Sequence, residues 1–495
     1  MTHSAPAAAL RHYINGTWEE GTGSVLTSVN PARPGETVAH GPQASTEQLD
    51  RAVAAASAAA RAWAGTPMHE RGAILLRAAG ILERDQERLG LELAREEGKT
   101  RAEAQGEVLR AAQILRYYGN EGDRSAGEVF SSPRRGERIL VVRKPLGVVG
   151  VVTPFNFPIA IPAWKIAPAL AYGNTVVWKP ASTVPLLALR LAGALAEAGL
   201  PAGVLNLVIG PGSLGSALVE HPRLDGLTFT GSTGIGRRLA AAGAARGVPV
   251  QAEMGGKNAA VVLRDADLDL AAEQVLLGAF RSTGQKCTAT SRLIVDGAVA
   301  DDFLDRLRAR LDAWVTGDPA DDGVHMGPLI NGAAADSVSA GVEAALAEGA
   351  ELAYQGKAPG RADPDGGFFL PPTVLELPGD PAAGAANTAW REEFFGPVLS
   401  VRRAADAGQA FELANQSEFG LSAAVFTQDV TRVLDAVDSL DVGILHVNSE
   451  SAGADPHVPF GGARKSGYGP KEQGGAAKEF FSHTTTVYLR GGNPG

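Results

Sequence analysis

The spacing of hydrophobic residues divides the chain into a helical part followed by a part in which strands and helices alternate. Residues 1 to about 40 mix short apolar pieces with Gly and Pro, which predicts a lead-in of strands and turns. Ser45 and Gln48 have the spacing of a helix capping box. From there to about Tyr118 an Ala-, Leu-, Glu- and Arg-rich stretch keeps a helical period, with one break at Gly65–Pro67. We expect these helices to pack on a sheet.

Beyond about Ser132 the pattern changes to short apolar runs separated by Ala- and Leu-rich helical segments. Such runs are typical of strands that are buried on both faces of a parallel sheet. Strands are predicted first at Ile139–Arg143 and Val148–Val152, and the apolar runs that then alternate with helical segments are Thr175–Trp178, Leu205–Ile209, Leu227–Phe229 and Val248–Ala252. The alternation predicts a doubly wound α/β sheet, whose ligands bind beyond the carboxyl ends of the strands.

A second α/β unit follows the first. Strands are predicted at Ala259–Leu263 and Arg292–Val295, with helices around Ala300–Trp314 and Ala333–Glu348. The Pro-, Gly- and Asp-rich segment Lys357–Pro372 is predicted to be a surface loop. A chain of 495 residues is too long for one ordinary core and suits two large domains.

Composition narrows the classes of function. A net charge of −10 argues against a nucleic-acid or anionic-membrane partner, and the chain has no apolar run of the length, about 18 residues, that predicts a membrane span. The N-terminal residues lack the basic leader and apolar core of a signal peptide, and the chain has one cysteine, so we expect a protein of the reducing cytoplasm. His446 and His457 have no partners at metal-ligand spacing, so no metal site is predicted.

The one cysteine, Cys287, lies in the polar segment Phe280–Thr288. It cannot form a disulfide within the chain, and a free thiol becomes a nucleophile when a cation or backbone donors stabilise the thiolate. Gly284 frees the backbone just before it, and Lys286 is adjacent. The alternative is a cysteine that packs as a small buried hydrophobe. The segment makes Cys287 a candidate nucleophile.

A second motif, Gln251–Asn258, places Glu253 34 residues before Cys287. The carboxylate follows the largely apolar run Val248–Ala252 and precedes two glycines, as expected where a strand delivers a general base into a narrow cleft. The alternative is a solvated carboxylate at a strand end. The two motifs together are far more specific than either motif alone.

With these motifs the sequence resembles the aldehyde dehydrogenase superfamily over nearly the whole chain. Seven motifs follow the order of the family: Thr153–Pro158, Gly173–Pro180, Phe229–Gly236, Glu253–Lys257, Gly284–Cys287, Glu392–Pro397 and Pro459–Gly462. The resemblance implies an NAD(P)-dependent enzyme that oxidises an aldehyde. It also implies an α/β fold with a doubly wound parallel-sheet cofactor domain, a second α/β catalytic domain and a small β oligomerisation flap.

The resemblance further implies the domain boundaries. The cofactor domain would comprise residues 1–120 and 142–254, the catalytic domain 255–455, and the flap 121–141 and 470–495. In the flap, the late β-branched strand Thr484–Leu489 would join the extension near Glu121–Val141, because a lone strand needs a partner. The expected assembly is a homodimer or a homotetramer.

By resemblance, Cys287 attacks the aldehyde carbon and, after hydride leaves for a nicotinamide, remains as a thioester. The Asn156 side-chain amide and the Cys287 backbone N–H would stabilise the oxyanion, and Glu253 would activate the water that hydrolyses the thioester. Taken alone, Asn156 between two Phe-Pro flanks is a turn residue that caps a helix. Lys257 is interpreted as support for its turn and not as a catalytic group.

The cofactor residues come from four of these motifs and from Ser182, which follows one of them. The turn Gly231–Gly236 follows a strand and opens a helix, so its N–H groups can meet a pyrophosphate, with Ser232 as the phosphate contact by resemblance. Lys179 would hold the adenosine ribose, while Glu393 and Phe395 would hold the nicotinamide ribose and ring. The other residues expected at the cofactor are Thr153, Phe155, Ser182 and Gly231.

The choice between NAD and NADP depends on Ser182. Many family members have a glutamate three residues after the lysine, where it binds both ribose hydroxyls and repels a 2′-phosphate. Here that residue is Ser182, so the repulsion is absent. We predict that NADP is accepted beside NAD and, in the stronger form of the prediction, preferred.

By resemblance, the residues that line the aldehyde funnel are Phe157, Trp164, Arg281, Lys286, Thr288 and Phe460. Two of them are cations in an acidic protein, so we expect a carboxylate at the far end of a short aldehyde to bind there. The segments Pro162–Leu170, Ser451–Phe460 and Tyr468–Gln473 resemble the branch that oxidises 2-oxoglutarate semialdehyde (2,5-dioxopentanoate).

Three alternatives stay open. The two cations can be solvated or paired with nearby acids, and the substrates are then aromatic or aliphatic aldehydes. The acyl group can pass to coenzyme A, although Glu253 favours hydrolysis. A non-catalytic nucleotide-binding scaffold is the third alternative, and the intact set of Cys287, Glu253 and Asn156 argues against it.

Overall fold

The computed structural model describes residues 6–124, 127–360 and 366–492. The predicted lead-in, flap and Lys357–Pro372 loop extend into residues outside these ranges, namely 1–5, 125–126, 361–365 and 493–495. The lead-in forms the strands β1 (Ala8–Ala9), β2 (His12–Ile14), β3 (Thr17–Glu19), β4 (Val25–Asn30) and β5 (Arg33–Pro42). Strands β1, β5 and β4 make a small sheet of their own, in that order.

The helical stretch before Tyr118 has more breaks than predicted. Its helices are α1 (Thr46–Gly65), α2 (Met68–Arg84), α3 (Gln86–Glu97) and α4 (Arg101–Gly119). Ser45 and Gln48 form the predicted capping box. An additional break follows Gly98, which ends α3 in the left-handed region (φ 95°), and Thr100 then caps α4. The apolar pattern continues across these breaks, so periodicity alone does not reveal them.

The strands β6 (Gly127–Ser131) and β7 (Glu137–Pro145) lead into the predicted doubly wound sheet, which is confirmed. Its elements are β8 (Val148–Val152), α5 (Ala160–Ala171), β9 (Thr175–Lys179), α6 (Pro185–Glu197), β10 (Leu205–Leu207), α7 (Gly212–Glu220), β11 (Gly226–Thr230), α8 (Thr233–Arg246) and β12 (Val250–Glu253). The parallel strands lie in the order β12, β11, β8, β9, β10, and β2 and β3 continue the sheet antiparallel. Val149, Val176 and Leu205 are fully buried because helices cover both faces.

The chain changes direction between β8 and β11. From β8 it moves through β9 to β10, and it then returns to β11 on the other side of β8. Loops that leave two such strands diverge and open a crevice at their carboxyl ends. Thr153 follows β8 and Gly231 follows β11 at this crevice.

A second, mostly parallel sheet carries the rest of the predicted α/β pattern. Its region comprises β13 (Asn258–Val262), α9 (Leu268–Phe280), β14 (Thr290–Asp296), α10 (Ala300–Asp312), α11 (Gly332–Ala347), β15 (Glu351–Gln355), β16 (Thr373–Glu376), α12 (Pro381–Ala386), α13 (Thr388–Arg391), β17 (Val398–Ala404), α14 (Ala407–Asn415), β18 (Phe419–Gly420), β19 (Ser422–Phe426), α15 (Val430–Ser439) and β20 (Ile444–Val447). The sheet order is β15, β16, β17, β14, β13, β19, β20.

A short link joins the two sheets. Strand β12 ends at Glu253 and β13 begins at Asn258, so the carboxyl edge of the first sheet meets the amino edge of the second sheet. Cys287 lies just before β14, and Phe395 lies just before β17. Predicted catalytic and cofactor residues from the two sheets therefore converge at one junction.

The C-terminal segment adds one strand to the first sheet and another to the strands β6 and β7. Its elements are β21 (Ala463–Arg464), β22 (Gly467–Tyr468), α16 (Ala477–Phe481) and β23 (Ser482–Arg490). Strand β22 pairs with β12, and β23 pairs antiparallel with β7, which also pairs with β6. The late strand thus has the partner that the resemblance implies, whereas the flap's part in oligomerisation and the domain boundaries stay predictions. None of the helices that the structure describes is long and apolar enough to span a membrane.

Candidate active site

The segment before the cysteine leaves α9 through a left-handed turn. Ser282, Thr283 and Gly284 have φ values of 53°, 57° and 69°. This conformation is costly for Thr283, whose branched Cβ disfavours the left-handed region, so other groups have to hold the turn. The Glu103 carboxylate accepts hydrogen bonds from the Ser282 N–H at 2.8 Å and from the Ser282 hydroxyl at 3.0 Å. The turn is thereby fixed from a different part of the chain.

Cys287 lines a pocket of about 290 Å³. Its carbonyl accepts a hydrogen bond from the Asn258 amide at 2.7 Å, whereas its main-chain N–H has no acceptor among the residues that the structure describes. Burial, as the largest cause, and then the carboxylates of Glu393, Glu253 and Glu472, in that order, together raise the pKa of the thiol to about 12. The thiol is therefore protonated at neutral pH in the cofactor-free protein, beside a free N–H donor.

Asn156 lies in the loop after β8 and contacts the cysteine segment directly. Its side chain is buried, and its amide Nδ2 donates a hydrogen bond to the Gln285 carbonyl at 2.8 Å. Helix α5 begins at Ala160 without a side-chain cap, so the interpretation of Asn156 as a helix cap is wrong. A primary amide has two N–H groups, and this hydrogen bond uses one of them.

Glu253 ends β12 and is buried, with 4% of its surface exposed. Its Oε2 accepts the Gly462 N–H at 2.9 Å. Burial raises the pKa of Glu253 well above its usual range, and repulsion from Glu472 adds to this effect. The interpretation as a solvated carboxylate is therefore wrong. A carboxyl group with a raised pKa is suited to accept a proton near neutral pH.

Two elements of the first sheet carry the predicted cofactor contacts. Helix α8 begins directly after Gly231 and Ser232, and no side chain caps its first turn, so its N–H groups fit a pyrophosphate. Lys179 at the end of β9 is buried, and its Nζ donates to the adjacent Pro180 carbonyl at 3.2 Å. Burial lowers the pKa of Lys179 to about 8. A buried ammonium group with a single carbonyl partner fits the binding of ribose hydroxyls.

Ser182 and Thr153 have protein partners in the same region. The Ser182 hydroxyl donates to the Gly210 carbonyl at 2.6 Å. The Thr153 hydroxyl is buried and accepts the Trp178 indole N–H at 2.9 Å. Both residues lie where the sequence places them, at the carboxyl edge of the first sheet, but their hydroxyl groups also hold neighbouring loops.

The nicotinamide side of the predicted cofactor site comes from both sheets. The Phe155 and Phe395 rings meet edge to face, with centroids 5.9 Å apart. The Gly256 N–H donates to the Glu393 carboxylate at 3.1 Å. Burial raises the pKa of Glu393 to about 7, while the Gly256 hydrogen bond and the charge of Lys257 oppose the increase. The structure thus brings Glu393 and Phe395 to the junction where Cys287 and Glu253 lie.

All six residues predicted for the aldehyde funnel line the pocket of Cys287. They are Phe157, Trp164, Arg281, Lys286, Thr288 and Phe460. Trp164 and Phe460 form an aromatic wall, with ring centroids 5.4 Å apart. The indole N–H of Trp164 is buried and has no partner among the described residues.

Arg281 and Lys286 share a carboxylate that the sequence does not single out. Glu450 lies 3.6 Å from a terminal nitrogen of Arg281 and 3.6 Å from Lys286 Nζ, and Glu103 lies 3.6 Å from Arg281 Nε. These distances allow ion pairing but exceed hydrogen-bond length. The alternative interpretation, in which the two cations form ion pairs with nearby acidic residues, is therefore correct as far as their charges are concerned. The guanidinium N–H groups of Arg281 nevertheless have no hydrogen-bond acceptor in the part of the chain that the structure describes.

Sequence reasoning missed five charged residues at this site, which are Lys99, Glu103, Glu107, Arg110 and Glu450. Glu103, Glu107 and Arg110 recur every three or four residues along α4, and this spacing places them on one helix face, which is a signal that could have found them. Glu450 lies in a loop after β20, where no periodicity marks it.

The sequence pattern of the aldehyde dehydrogenase family matches residues 18–487. The chain belongs to this family. The predicted family and fold class are confirmed, and the protein is an NAD(P)-dependent aldehyde dehydrogenase. Its curated relatives include the alpha-ketoglutaric semialdehyde dehydrogenase of Bacillus subtilis, which is 41% identical over 97% of this chain and 98% of its own. The 2,5-dioxopentanoate dehydrogenase of Saccharolobus solfataricus is 38% identical over 95% of this chain and 97% of its own.

Solved structures of aldehyde dehydrogenases agree with the fold. The NAD-dependent aldehyde dehydrogenase from Sinorhizobium meliloti has a TM-score of 0.94 and 33% identity, and the match covers 99% of this chain and 96% of that chain. An NADP-dependent enzyme of E. coli has a TM-score of 0.92 and 34% identity over 98% of both chains. One of these two similar proteins is named as NAD-dependent and the other as NADP-dependent.

For this aldehyde dehydrogenase, we predict that iodoacetamide alkylates Cys287 about tenfold faster per pH unit between about pH 7 and about pH 9. The thiol pKa of about 12 leaves only a small thiolate fraction in this range, and that fraction grows with each unit. Glu393→Gln should react faster at any fixed pH, because it removes the carboxylate that most raises the thiol pKa. Mass spectrometry of the single cysteine measures the rate.

Glu392→Gln is the matched control, because it removes the neighbouring carboxylate, which is exposed. Its alkylation rate should equal that of the wild type. A rate that reaches a plateau below about pH 9 would show that the cofactor-free thiol is far more acidic than its burial implies.

Proposed function

We propose that this aldehyde dehydrogenase oxidises a short aldehyde that carries a carboxylate, with 2-oxoglutarate semialdehyde as the leading candidate, to the free acid. The observation that carries the proposal is Arg281, whose guanidinium lines the pocket of Cys287 and has no hydrogen-bond acceptor among the described residues. Its planar fork can donate two hydrogen bonds to one carboxylate. Relatives named for alpha-ketoglutaric semialdehyde and 2,5-dioxopentanoate support this substrate class.

In the proposed reaction, the Cys287 sulfur attacks the aldehyde carbon, and the carbonyl oxygen becomes an oxyanion. The second N–H of Asn156 and the main-chain N–H of Cys287 are the donors proposed to bind this oxyanion. The thiol proton must leave during the attack, and Glu253 is the base proposed to accept it. When bound, the nicotinamide cofactor supplies the oxidant that accepts a hydride from the substrate carbon.

Hydrolysis of the resulting thioester is proposed to depend on Glu253. Glu253 would first release the thiol proton to solvent, and its carboxylate would then take a proton from water as the water oxygen attacks the thioester carbon. The C–S bond then breaks, the acid leaves, and Glu253 returns its proton to the Cys287 sulfur. The raised pKa of Glu253 suits this exchange of protons. A free acid is the expected product, because Glu253 favours water over transfer of the acyl group to coenzyme A.

The charges of the pocket favour one carboxylate on the substrate. Glu450 neutralises Arg281 and Lys286 at 3.6 Å without hydrogen-bonding to either cation. A substrate carboxylate can therefore bind the N–H groups of Arg281 without breaking a hydrogen bond. Glu450 at the same time opposes the anion, because like charges repel in a partly buried pocket.

A second candidate is a broad activity on aromatic aldehydes. The aromatic wall of Trp164 and Phe460 supports this candidate, since a flat ring packs well against such a surface. The vanillin dehydrogenase of Corynebacterium glutamicum is 38% identical to this protein over 95% of this chain and 96% of its own. Arg281 and Lys286 favour the carboxylate-bearing substrate over this candidate.

We also infer a homodimer or homotetramer that works in the cytoplasm. The sheet of β6, β7 and β23 exposes the side chains of Val129, Phe130, Tyr488 and Leu489, which supports contact with another subunit. The catalytic role proposed for Cys287 requires a free thiol, which supports a reducing compartment.

We predict that Cys287→Ala abolishes oxidation but leaves cofactor binding largely intact. Glu253→Gln should give a burst of reduced cofactor without turnover, because the acyl-enzyme forms and is not hydrolysed. Stopped-flow absorbance of the reduced cofactor and intact-protein mass spectrometry measure both effects. Substantial steady-state activity in Cys287→Ala would refute the scheme.

We predict that NADP is accepted, and preferred in the stronger form of this proposal. Ser182→Glu should shift the ratio of kcat/KM values toward NAD by about 10- to 100-fold, because a carboxylate there repels a 2′-phosphate. Ser182→Gln is the control of equal size without charge, and it should shift the ratio much less. A wild-type enzyme that is inactive with NADP would contradict the reasoning.

We predict that Arg281→Ala lowers kcat/KM for 2-oxoglutarate semialdehyde and succinate semialdehyde by about 10- to 100-fold, the effect of losing a charge-assisted hydrogen bond. The values for benzaldehyde and hexanal should change little. Glu450→Gln should act in the opposite direction on the semialdehydes, because it removes the competing negative charge.

Arg432→Ala serves as the surface control, since Arg432 pairs with Asp435 on an exposed helix face. It should leave all four substrates unaffected. If uncharged aldehydes are the better substrates of the wild type, or if Arg281→Ala leaves the semialdehyde values unchanged, the proposed carboxylate site is wrong.

A further inference from the structure

Lys99 is a buried cation that holds the loop of Asn156 from behind. It lies just before α4, and only 2% of its surface is exposed. Its Nζ donates hydrogen bonds to the main-chain carbonyl of Asn156 and, at 2.8 Å, to the Glu107 carboxylate. The same Nζ lies 3.8 Å from the centroid of the Phe157 ring. Lys99 therefore contacts two successive residues of the loop that presents the proposed oxyanion donor.

Glu107 fixes the other end of the same loop. Its Oε1 accepts the N–H groups of Ile159 and Ala160 at 3.1 Å and 3.2 Å, where α5 begins. Its Oε2 accepts from Lys99. One carboxylate thus replaces the missing side-chain cap of α5 and anchors the lysine. The loop between β8 and α5 is held at Asn156 and at its exit by two side chains of a different element.

Glu103 lies in the first turn of α4, between Lys99 and Glu107 in the sequence, and it contacts the cysteine segment instead. Its Oε1 accepts the N–H and the hydroxyl of Ser282, the first residue of the left-handed turn. Its Oε2 accepts from the Thr100 hydroxyl at 2.7 Å, which keeps the carboxylate in place. The turn that precedes Cys287 is therefore anchored to α4, the helix that also carries Glu107, the partner of Lys99.

We propose that Lys99, Glu103 and Glu107 form a positioning clamp that sets the distance between the Asn156 amide and Cys287. Glu103 and Glu107 lie four residues apart on one face of α4, and Lys99 lies just before this helix, so one part of the chain fixes two loops that come from different sheets. Lys99 and Glu107 set Asn156, and Glu103 sets the cysteine turn. The inference rests on the oxyanion role proposed for Asn156, and it assigns the three residues no contact with the reacting atoms.

The chemistry of the clamp indicates that its residues position Asn156 more than they stabilise the fold. A buried ion pair contributes little net stability compared with apolar residues of similar size, but it fixes directions in space. Lys99 donates to a main-chain carbonyl, which restrains the backbone of Asn156, and the Asn156 side chain then meets Gln285 at 2.8 Å. A displacement of about 1 Å at such a donor costs about 100-fold in rate.

A double-mutant cycle tests the clamp. The variant Lys99→Met/Glu107→Gln removes both members of this buried ion pair together, and glutamine can still accept the α5 N–H groups. The other acid near Lys99 is Glu97 at 3.8 Å, and burial already raises the pKa of its carboxyl well above the usual range, so it can stay neutral without the lysine. We expect its kcat to fall about 100-fold while the KM for the cofactor stays near that of the wild type. Asn156→Ala should lose about 100- to 1,000-fold. In the Asn156→Ala background, Lys99→Met/Glu107→Gln should cost less than about threefold.

Two further measurements separate positioning from unfolding. Hydrolysis of p-nitrophenyl acetate by the cofactor-free enzyme uses the same thiol and oxyanion donors, so its rate should fall in parallel with kcat. Lys99→Arg keeps a charged donor and should recover most of the activity, and it also tests the clamp if the double variant does not fold. Arg116 lies on α4 and forms an exposed ion pair with Glu83 of α2. The control variant Arg116→Met breaks this pair and should leave both activities unchanged.

The outcomes are distinct. Equal losses from Lys99→Met/Glu107→Gln in the wild-type and Asn156→Ala backgrounds would overturn the clamp, because the lysine would then act independently of Asn156. Wild-type activity in Lys99→Met/Glu107→Gln, together with a large loss in Asn156→Ala, would also overturn it. Wild-type activity in Asn156→Ala would instead overturn the proposed oxyanion role, and the clamp with it.

Discussion

The hydrogen bond from the Asn156 amide to the Gln285 carbonyl joins two loops that belong to different sheets. One loop leaves the carboxyl end of β8, and the other precedes the amino end of β14. Neither sheet alone can place Asn156, the proposed oxyanion donor, beside Cys287, the proposed nucleophile. The junction works because the short link between β12 and β13 brings opposite edges of the two sheets together, with Glu253 at its start. The position of the site is thus a consequence of topology.

Burial of charge is the second constraint at this junction. Lys179 and Glu253 come from the first sheet and are buried, and Glu393 precedes a strand of the second sheet and is half-buried. The pKa of each of the three groups is shifted in the direction that favours its neutral form. Groups of this kind are costly to bury without partners, and they persist where a ligand or a reaction uses them. Lys257 shows the same effect, because burial lowers its pKa to about 7, although its proposed part is to support the turn. A shifted pKa therefore marks the region better than it identifies each role.

The sequence predicted the fold class and the motifs at the strand ends, because buried strands and glycine-rich turns leave local patterns. It also singled out Cys287, Glu253 and Asn156, which the structure brings together at the junction, and their catalytic roles stay predictions. The break at Gly98 was missed, since the apolar period continues from α3 into α4. Glu450 was missed because its importance comes from its distance to Arg281 and Lys286, and that distance depends on how the loop after β20 returns to the pocket. Long-range pairing of this kind leaves no local signal.

The acids of the site impose a conflict on the thiol. Glu393 and Glu253 both raise the pKa of Cys287, although Glu253 is the group proposed to activate water later in the reaction. A permanently ionised cysteine would have to lie farther from these carboxylates, and hydrolysis would then lose its base. A protonated thiol close to a carboxyl group with a raised pKa avoids this conflict, because the proton can pass between the two groups as the sulfur attacks. In the proposed mechanism the site thus works through a protonated thiol and a nearby carboxyl group that exchange one proton, and not through a preformed thiolate with a separate base.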